Sequence, residues 1–244
     1  MKLKKIVRFL SKCEDALVLI CCLFLVLLGC YAMYDSYMVY EKAIDNSILK
    51  FKPGYESNLD EEVPQEIQGN MVAWISIEDT TIDYPVMQGI NNSEYLNKNP
   101  YGEYSLSGSI FLDSRNASDF SDGYSLIYGH HMSGDVMFGQ LDAYLKESYL
   151  ESHTDGEIII DDVTYSVSYF AVLEADAKNP VVFAPNECEV GGTWAYLLEH
   201  AKFWNEDVVA KDQADKTSLS LLALSTCQES NSNDRTLVFG VIHK

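Results

Sequence analysis

Positive charge is scarce in this chain. Its 244 residues hold 17 Lys and Arg against 37 Asp and Glu, a formal net charge of −20. The first 15 residues carry five of the basic side chains and two of the acidic ones, so residues 16–244 keep 12 against 35, a net of −23. A surface of that sign repels nucleic acid and anionic headgroups at modest salt, and the excess carboxylates are read as serving solubility. Metal and nucleotide motifs are missing too. His153, His200 and His243 have no partners at metal-ligand spacing, there is no HExxH pattern or phosphate-binding glycine loop, and no EF-hand-like loop gathers the carboxylates. No internal repeat or low-complexity tract occurs. No cofactor and no metal are expected.

Cysteine is sparse outside one stretch. Of six, Cys13, Cys21, Cys22 and Cys30 lie in or beside the only long apolar run, leaving Cys188 and Cys227 for the rest of the chain. That run, Ala16–Tyr34, has nineteen residues without a charge, about enough for the roughly 20-residue span that a bilayer core requires. Five basic residues precede it, so the positive-inside rule keeps residues 1–15 in the cytoplasm and puts the remainder outside. A cleaved signal peptide is the rival reading; the run exceeds a typical secretory core and no small-x-small cleavage site follows, which favours a retained single-pass anchor. An oxidising exterior would permit a Cys188–Cys227 disulfide. Such a bond would consume the thiol best placed for chemistry, so Cys188 is read as a spare, partly buried thiol.

Beyond the anchor, Tyr37, Tyr40, Ile44, Ile48 and Phe51 recur at helical spacing until Pro53-Gly54 breaks the pattern. Residues 35–69 thus form a helical extension and acidic spacer, and residues 70–244 a mainly β domain. Met71–Ile77 and Thr81–Val86 read as an opening hairpin, Gly108–Asp113 and Ser125–Tyr128 as further strands, and Glu157–Ile160 with Thr164–Leu173 as a hairpin around Asp161-Asp162. Val136–Leu145 is expected to be a short helix. Trp194, Leu197, Leu198, Ala201 and Trp204 share one face of a helix expected over Thr193–Asn205.

The chemistry concentrates near the end. Ser218–Cys227 and Arg235–Ile242 are apolar, β-prone segments joined by the polar loop Gln228–Asp234. Cys227 falls where one strand ends and Arg235 where the next begins. A strand end holds a thiol rigidly while a loop leaves it open to substrate, and a guanidinium nearby is a permanent donor to an oxyanion. The missing base is supplied by Leu126-Ile-Tyr-Gly-His-His-Met132, an apolar strand running into His130 and His131. Histidine is the usual proton partner of a cysteine nucleophile.

Tyr-Gly-His, then Leu-Ser-Thr-Cys, then Arg eight residues on, resembles the sortases, Gram-positive cell-surface cysteine transpeptidases. Ile82-Asp-Tyr-Pro-Val-Met-Gln88, Tyr95-Leu96, Gly108–Asp113 with Arg115-Asn116, and Met137-Phe-Gly139 are similar specifically to class B members, so the likeness runs in order from about residue 70 to residue 242. The chain departs from the pattern at Ala223, where the family usually writes Thr, and at His131, where class B members often have Asn.

The resemblance implies a closed sortase-type β-barrel of about eight strands with peripheral helices, behind one N-terminal transmembrane helix. It also implies a two-step acyl transfer. Cys227 is the nucleophile, His130 the acid and base, and Arg235 the oxyanion donor; Ser225, Thr226, Tyr128 and Leu96 are the expected substrate-binding residues. Implied partners are a Pro- and Thr-containing sorting motif of secreted surface proteins, such as an Asn-Pro-x-Thr or Ser-Pro-x-Thr type, and a peptidoglycan amine. Alternatives are a pilin-polymerising enzyme, a cysteine endopeptidase using water as acceptor, and a membrane-tethered binding domain with a vestigial site.

Overall fold

A computed structural model of the chain describes residues 2–44, 46–54, 63–187, 190–205, 219–227 and 234–244. Two compact units emerge, Met1–Lys42 and Ala43–Lys244. The first is almost all of one helix, α1 (Lys2–Ala43). From Leu17 to Leu28 every large apolar side chain on α1 is more than half exposed. A helix apolar all round has no protein face to bury, and this one is long and apolar enough to cross a membrane.

The second unit is a barrel. After a 3-10 turn, Asn46–Phe51, and the short helix α2 (Gln65–Asn70) come β1 (Met71–Ile77), β2 (Asp83–Met87), β3 (Ile110–Leu112) and β4 (Tyr124–Met132). Next are the two-residue strand β5 (Val136–Met137), a 3-10 helix Phe138–Leu145, and α3 (Glu147–Ser152). The chain then forms β6 (Asp155–Ile160), β7 (Val163–Asp176), α4 (Pro180–Phe183), α5 (Val190–His200), β8 (Phe203–Trp204), β9 (Ser220–Cys227) and β10 (Asp234–His243).

Neighbouring strands run β10-β9-β4-β3-β2-β1-β6-β7, and pairing of β10 with β7 closes the circle. Eight strands therefore form the barrel, with β5 attached only to β4 and β8 only to β7. Closure removes the exposed edges that open sheets must protect. The pairs β2–β3 and β4–β9 are parallel and the rest antiparallel. Parallel pairing demands long crossovers; here they are the 88–109 segment and the long path from β4 round to β9.

Local sequence explains several elements. Asp161 and Asp162, both at positive φ (49° and 62°), make the two-residue turn between β6 and β7; Asp is one of the few residues that tolerates this, and such turns match the twist of a hairpin. Under α4 and α5, Trp194 and Leu197 pack on Phe170, Leu221, Ala223, Leu237 and Phe239. Trp204 joins this cluster, its ring 5.1 Å from Phe170 and 5.3 Å from Trp194.

Three elements differ from expectation. The helix expected over Thr193–Asn205 starts earlier and ends at His200, because Phe203 and Trp204 pair with Val172 and Ala171 of β7 instead. The stretch Val136–Leu145 opens as β5, where Val136 and Met137 pair with Met132 and His131, before turning into 3-10 helix. Strand β4 runs past Tyr128 to Met132, since backbone pairing with β9 carries it through Gly129 and His130. Cys188 and the loop residues 228–233 lie outside the described residues.

Candidate active site

The parallel register of β4 and β9 builds the site. It begins at Tyr124 opposite Leu221 and runs through Tyr128 opposite Ser225 and Gly129 opposite Thr226 to His130 opposite Cys227. Because the strands are parallel, both end at the same rim of the barrel, one with its histidine and the other with its cysteine. Strand β10 is antiparallel to β9 and so starts at that rim, with Leu237 opposite Ser225. Two residues nearer the loop, the same register brings Arg235 level with Cys227. The Arg235 side chain is partly exposed and has no hydrogen-bond or ion-pair partner among the described residues.

His130 is oriented by a backbone carbonyl. Its Nε2 lies 2.7 Å from the Leu96 carbonyl oxygen. A carbonyl only accepts, so Nε2 carries the proton, and in the neutral ring Nδ1 is the free base. Leu96 ends a 3-10 turn, Glu94–Leu96, anchored by the Tyr95 hydroxyl donating to Glu66 (2.8 Å) and by Ser109 N–H donating to the Tyr95 carbonyl (3.0 Å). Gly108 permits this approach. It sits at φ +58°, and a Cβ there would stand 2.5 Å from the Tyr95 carbonyl oxygen and 2.6 Å from that of Leu96.

His131 is committed elsewhere. Successive strand residues alternate faces, and His131 pairs with Met137 of β5 while its Nε2 meets Asp142 Oδ2 at 2.7 Å. It has no register partner in β9.

Of the four expected substrate-binding residues, two are accessible. Tyr128 and Leu96 are half-buried and pack together against Met87, Tyr95 and Phe111, the Tyr128 ring 5.3 Å from that of Phe111. Tyr128 and Phe183 also both pack against the larger cluster beneath α4 and α5. Leu96, Tyr128 and Phe183 are thus partly exposed apolar side chains linked through Tyr128, with His130 two residues further along β4. Ser225 and Thr226 are fully buried. The Ser225 hydroxyl donates to the Thr226 carbonyl at 3.4 Å, and Thr226 Oγ1 has no partner among the described residues.

Bonded to the Tyr128 hydroxyl is a charged group with no role assigned from the sequence. Asp113, just beyond β3, is the only fully buried charged side chain among the described residues. Its carboxylate accepts from Arg115 N–H (2.9 Å), Nε (2.8 Å) and Nη2 (2.7 Å), Asn92 Nδ2 (2.8 Å) and Tyr128 Oη (3.0 Å). Burial pushes the Asp113 carboxyl up, but these donors, Arg115 above all, outweigh it and hold the group below the ordinary aspartate range. Burial, and then the Asp113 charge, raise the Tyr128 phenol well above its usual value. An Asp at a strand end with Arg two residues on is the sequence signal, since an Asx carboxylate caps the N–H two residues ahead; Asn92 and the Leu96 carbonyl carry no such signal.

The structure is a closed, mixed eight-stranded barrel with histidine and cysteine paired at adjacent parallel strand ends. The family model described as Sortase domain matches residues 75–243, and the chain belongs to the sortase family. It is 40% identical over 110 residues to sortase B of Listeria monocytogenes, an alignment spanning 45% of this chain and 45% of that protein. Against sortase B of Staphylococcus aureus it is 29% identical over 168 residues, 69% of this chain and 67% of the relative. In structure it is similar to a Streptococcus pyogenes class B sortase involved in pilus biogenesis, with a TM-score of 0.64 and 36% identity over 72% of this chain and 94% of that one. Its relatives in sequence and in structure are thus class B sortases.

Proposed function

We propose that this protein is a membrane-anchored cysteine transpeptidase that cleaves a sorting motif of secreted proteins and passes the acyl group to a cell-wall amine. The observation that carries the reading is the β4–β9 register, which sets His130 directly opposite Cys227. The Cys227 thiolate attacks the carbonyl carbon of the scissile peptide bond, and Arg235 donates to the resulting oxyanion. His130, as imidazolium, gives the Nδ1 proton to the departing amine as the C–N bond breaks, leaving a thioester. The incoming amine then attacks the thioester carbonyl, His130 Nδ1 takes its proton, and the C–S bond breaks to restore the thiolate. Tyr128 and Leu96 line the approach. Ser225, on the same strand face as Cys227, and Thr226, on the opposite one, are buried and support the strand end rather than line the approach.

In this reading residues 1–15 stay in the cytoplasm, 16–34 cross the membrane, 35–69 form a spacer, and the 70–244 barrel works outside, facing peptidoglycan. The full-length protein in detergent micelles, incubated with quenched peptides spanning candidate sorting motifs, should cleave one class and, given an amine, form ligated product detectable by mass spectrometry. Cys227→Ala should do neither. Hydrolysis without ligation to any amine would point to an endopeptidase instead, and no cleavage at all would sink the assignment. A second acceptor is favoured by one observation, the 36% identity to a sortase involved in pilus biogenesis. Offering diaminopimelate, glycine and lysine amines side by side separates wall anchoring from pilin polymerisation.

A further inference from the structure

A buried carboxylate costs several kcal/mol of desolvation unless its oxygens are fully satisfied, and those of Asp113 are satisfied by groups that the fold brings together. Its five donors come from three places: Arg115 just after β3, Asn92 in the β2–β3 crossover, and Tyr128 in β4. Arg115 reaches further. Its Nε and Nη2 grip both Asp113 oxygens side-on, and Nη2 also donates to the Phe183 carbonyl of α4 at 2.6 Å. Asn92, in turn, accepts from Ser114 N–H at 2.7 Å. One ion pair therefore joins Tyr128 of β4 to Phe183 of α4 and to the crossover that also carries Leu96.

We propose that the Asp113–Arg115 pair is a positioning clamp for the approach of the sorting peptide, fixing the spacing of Tyr128 from Phe183 and so the fit of the peptide on its way to Cys227. The inference rests on the transpeptidase reading above. Neither clamp residue touches the reacting atoms; both act through Tyr128 and α4. Arg115 suits the task because its planar fork holds two carboxylate oxygens and still spares an N–H for the Phe183 carbonyl. Lysine keeps the charge but not this geometry.

The test uses full-length protein in micelles and the quenched peptide that the unaltered enzyme cleaves fastest. Arg115→Lys should raise KM about tenfold while kcat changes little, the signature of lost uniform binding from one charge-assisted hydrogen bond. Tyr128→Phe, which removes only the hydroxyl that reports to Asp113, should raise KM in the same direction and is the fallback should Arg115→Lys fold poorly. Alkylation of Cys227 by iodoacetamide, which needs no peptide binding, should proceed at the unaltered rate in both variants. Unchanged KM in folded variants, whatever their melting temperature, would reduce the pair to a structural ion pair and overturn the clamp. A matching loss of kcat and of alkylation rate would overturn it as well, by placing the effect at the nucleophile. If the unaltered protein cleaves no peptide, the functional reading fails first and the clamp falls with it.

Discussion

His130 and His131 are adjacent in sequence and opposite in assignment. His130 stands across from Cys227 in the β4–β9 register and gives Nε2–H to the Leu96 carbonyl, whereas His131 is tied to Asp142 and paired with β5. His130→Gln should therefore lower kcat/KM for sorting-peptide cleavage by about 100-fold or more, the usual worth of a positioned acid–base group, with little change in melting temperature. His131→Gln should do the reverse, lowering the melting temperature and sparing most of the activity. Asp113 makes a separate prediction about acid. Its ordinary value is 3.8, and in the folded chain it lies lower. A depressed carboxylate contributes stability that is present above the unfolded value and lost as pH falls through the folded one. The melting temperature of Asp113→Asn should thus lie below that of the unaltered protein at neutral pH, and the gap should narrow as pH drops below about 4. A gap that stays constant down to pH 2 would mean that the carboxylate charge is not what stabilises this position.

At the scale of elements, the 3-10 turn Glu94–Leu96 converts a backbone geometry into an orientation of His130. Gly108→Ala tests that link. The new Cβ would meet the Tyr95 and Leu96 carbonyl oxygens in a left-handed conformation, costing on the order of 1–2 kcal/mol for the backbone alone. Because the Leu96 carbonyl must then move, activity should fall more than stability accounts for, read as kcat/KM in protein that circular dichroism shows to be folded. None of this was visible beforehand, because a carbonyl has the same sequence signature at every residue. The strands were more legible. The hairpins around Glu78-Asp79-Thr80 and Asp161-Asp162 announce themselves by β-branched runs and turn residues, and the residues proposed for catalysis, Cys227, His130 and Arg235, stand out by chemistry that packing does not demand. Asp113 was visible as a residue but not as a hub, since its burial and its donors from Asn92 and Tyr128 come together only when β2, β3 and β4 do. Trp204 misled for a related reason: its spacing from Trp194 fits a helix face, yet it reaches the same aromatic cluster from β8.

For the whole molecule, the division of labour follows from where apolar surface is buried. In Ala43–Lys244 it is enclosed, by closure of β10 on β7 and by α4 and α5 over the outer face. From Leu17 to Leu28 of α1 it is exposed, which water tolerates poorly and a bilayer accepts. A closed barrel with its own core has what a domain needs to fold alone. Removing residues 1–42 should accordingly leave the melting temperature and the soluble-peptide kcat/KM of the barrel unchanged, and abolish co-flotation with phospholipid vesicles, which the full-length chain should show. The net charge of −23 on residues 16–244 sharpens the second half of that expectation. Without α1, a surface of this sign is repelled by anionic vesicles, so residual binding by the truncated protein, especially binding that weakens with salt, would contradict the view that the apolar helix alone holds the enzyme at the membrane.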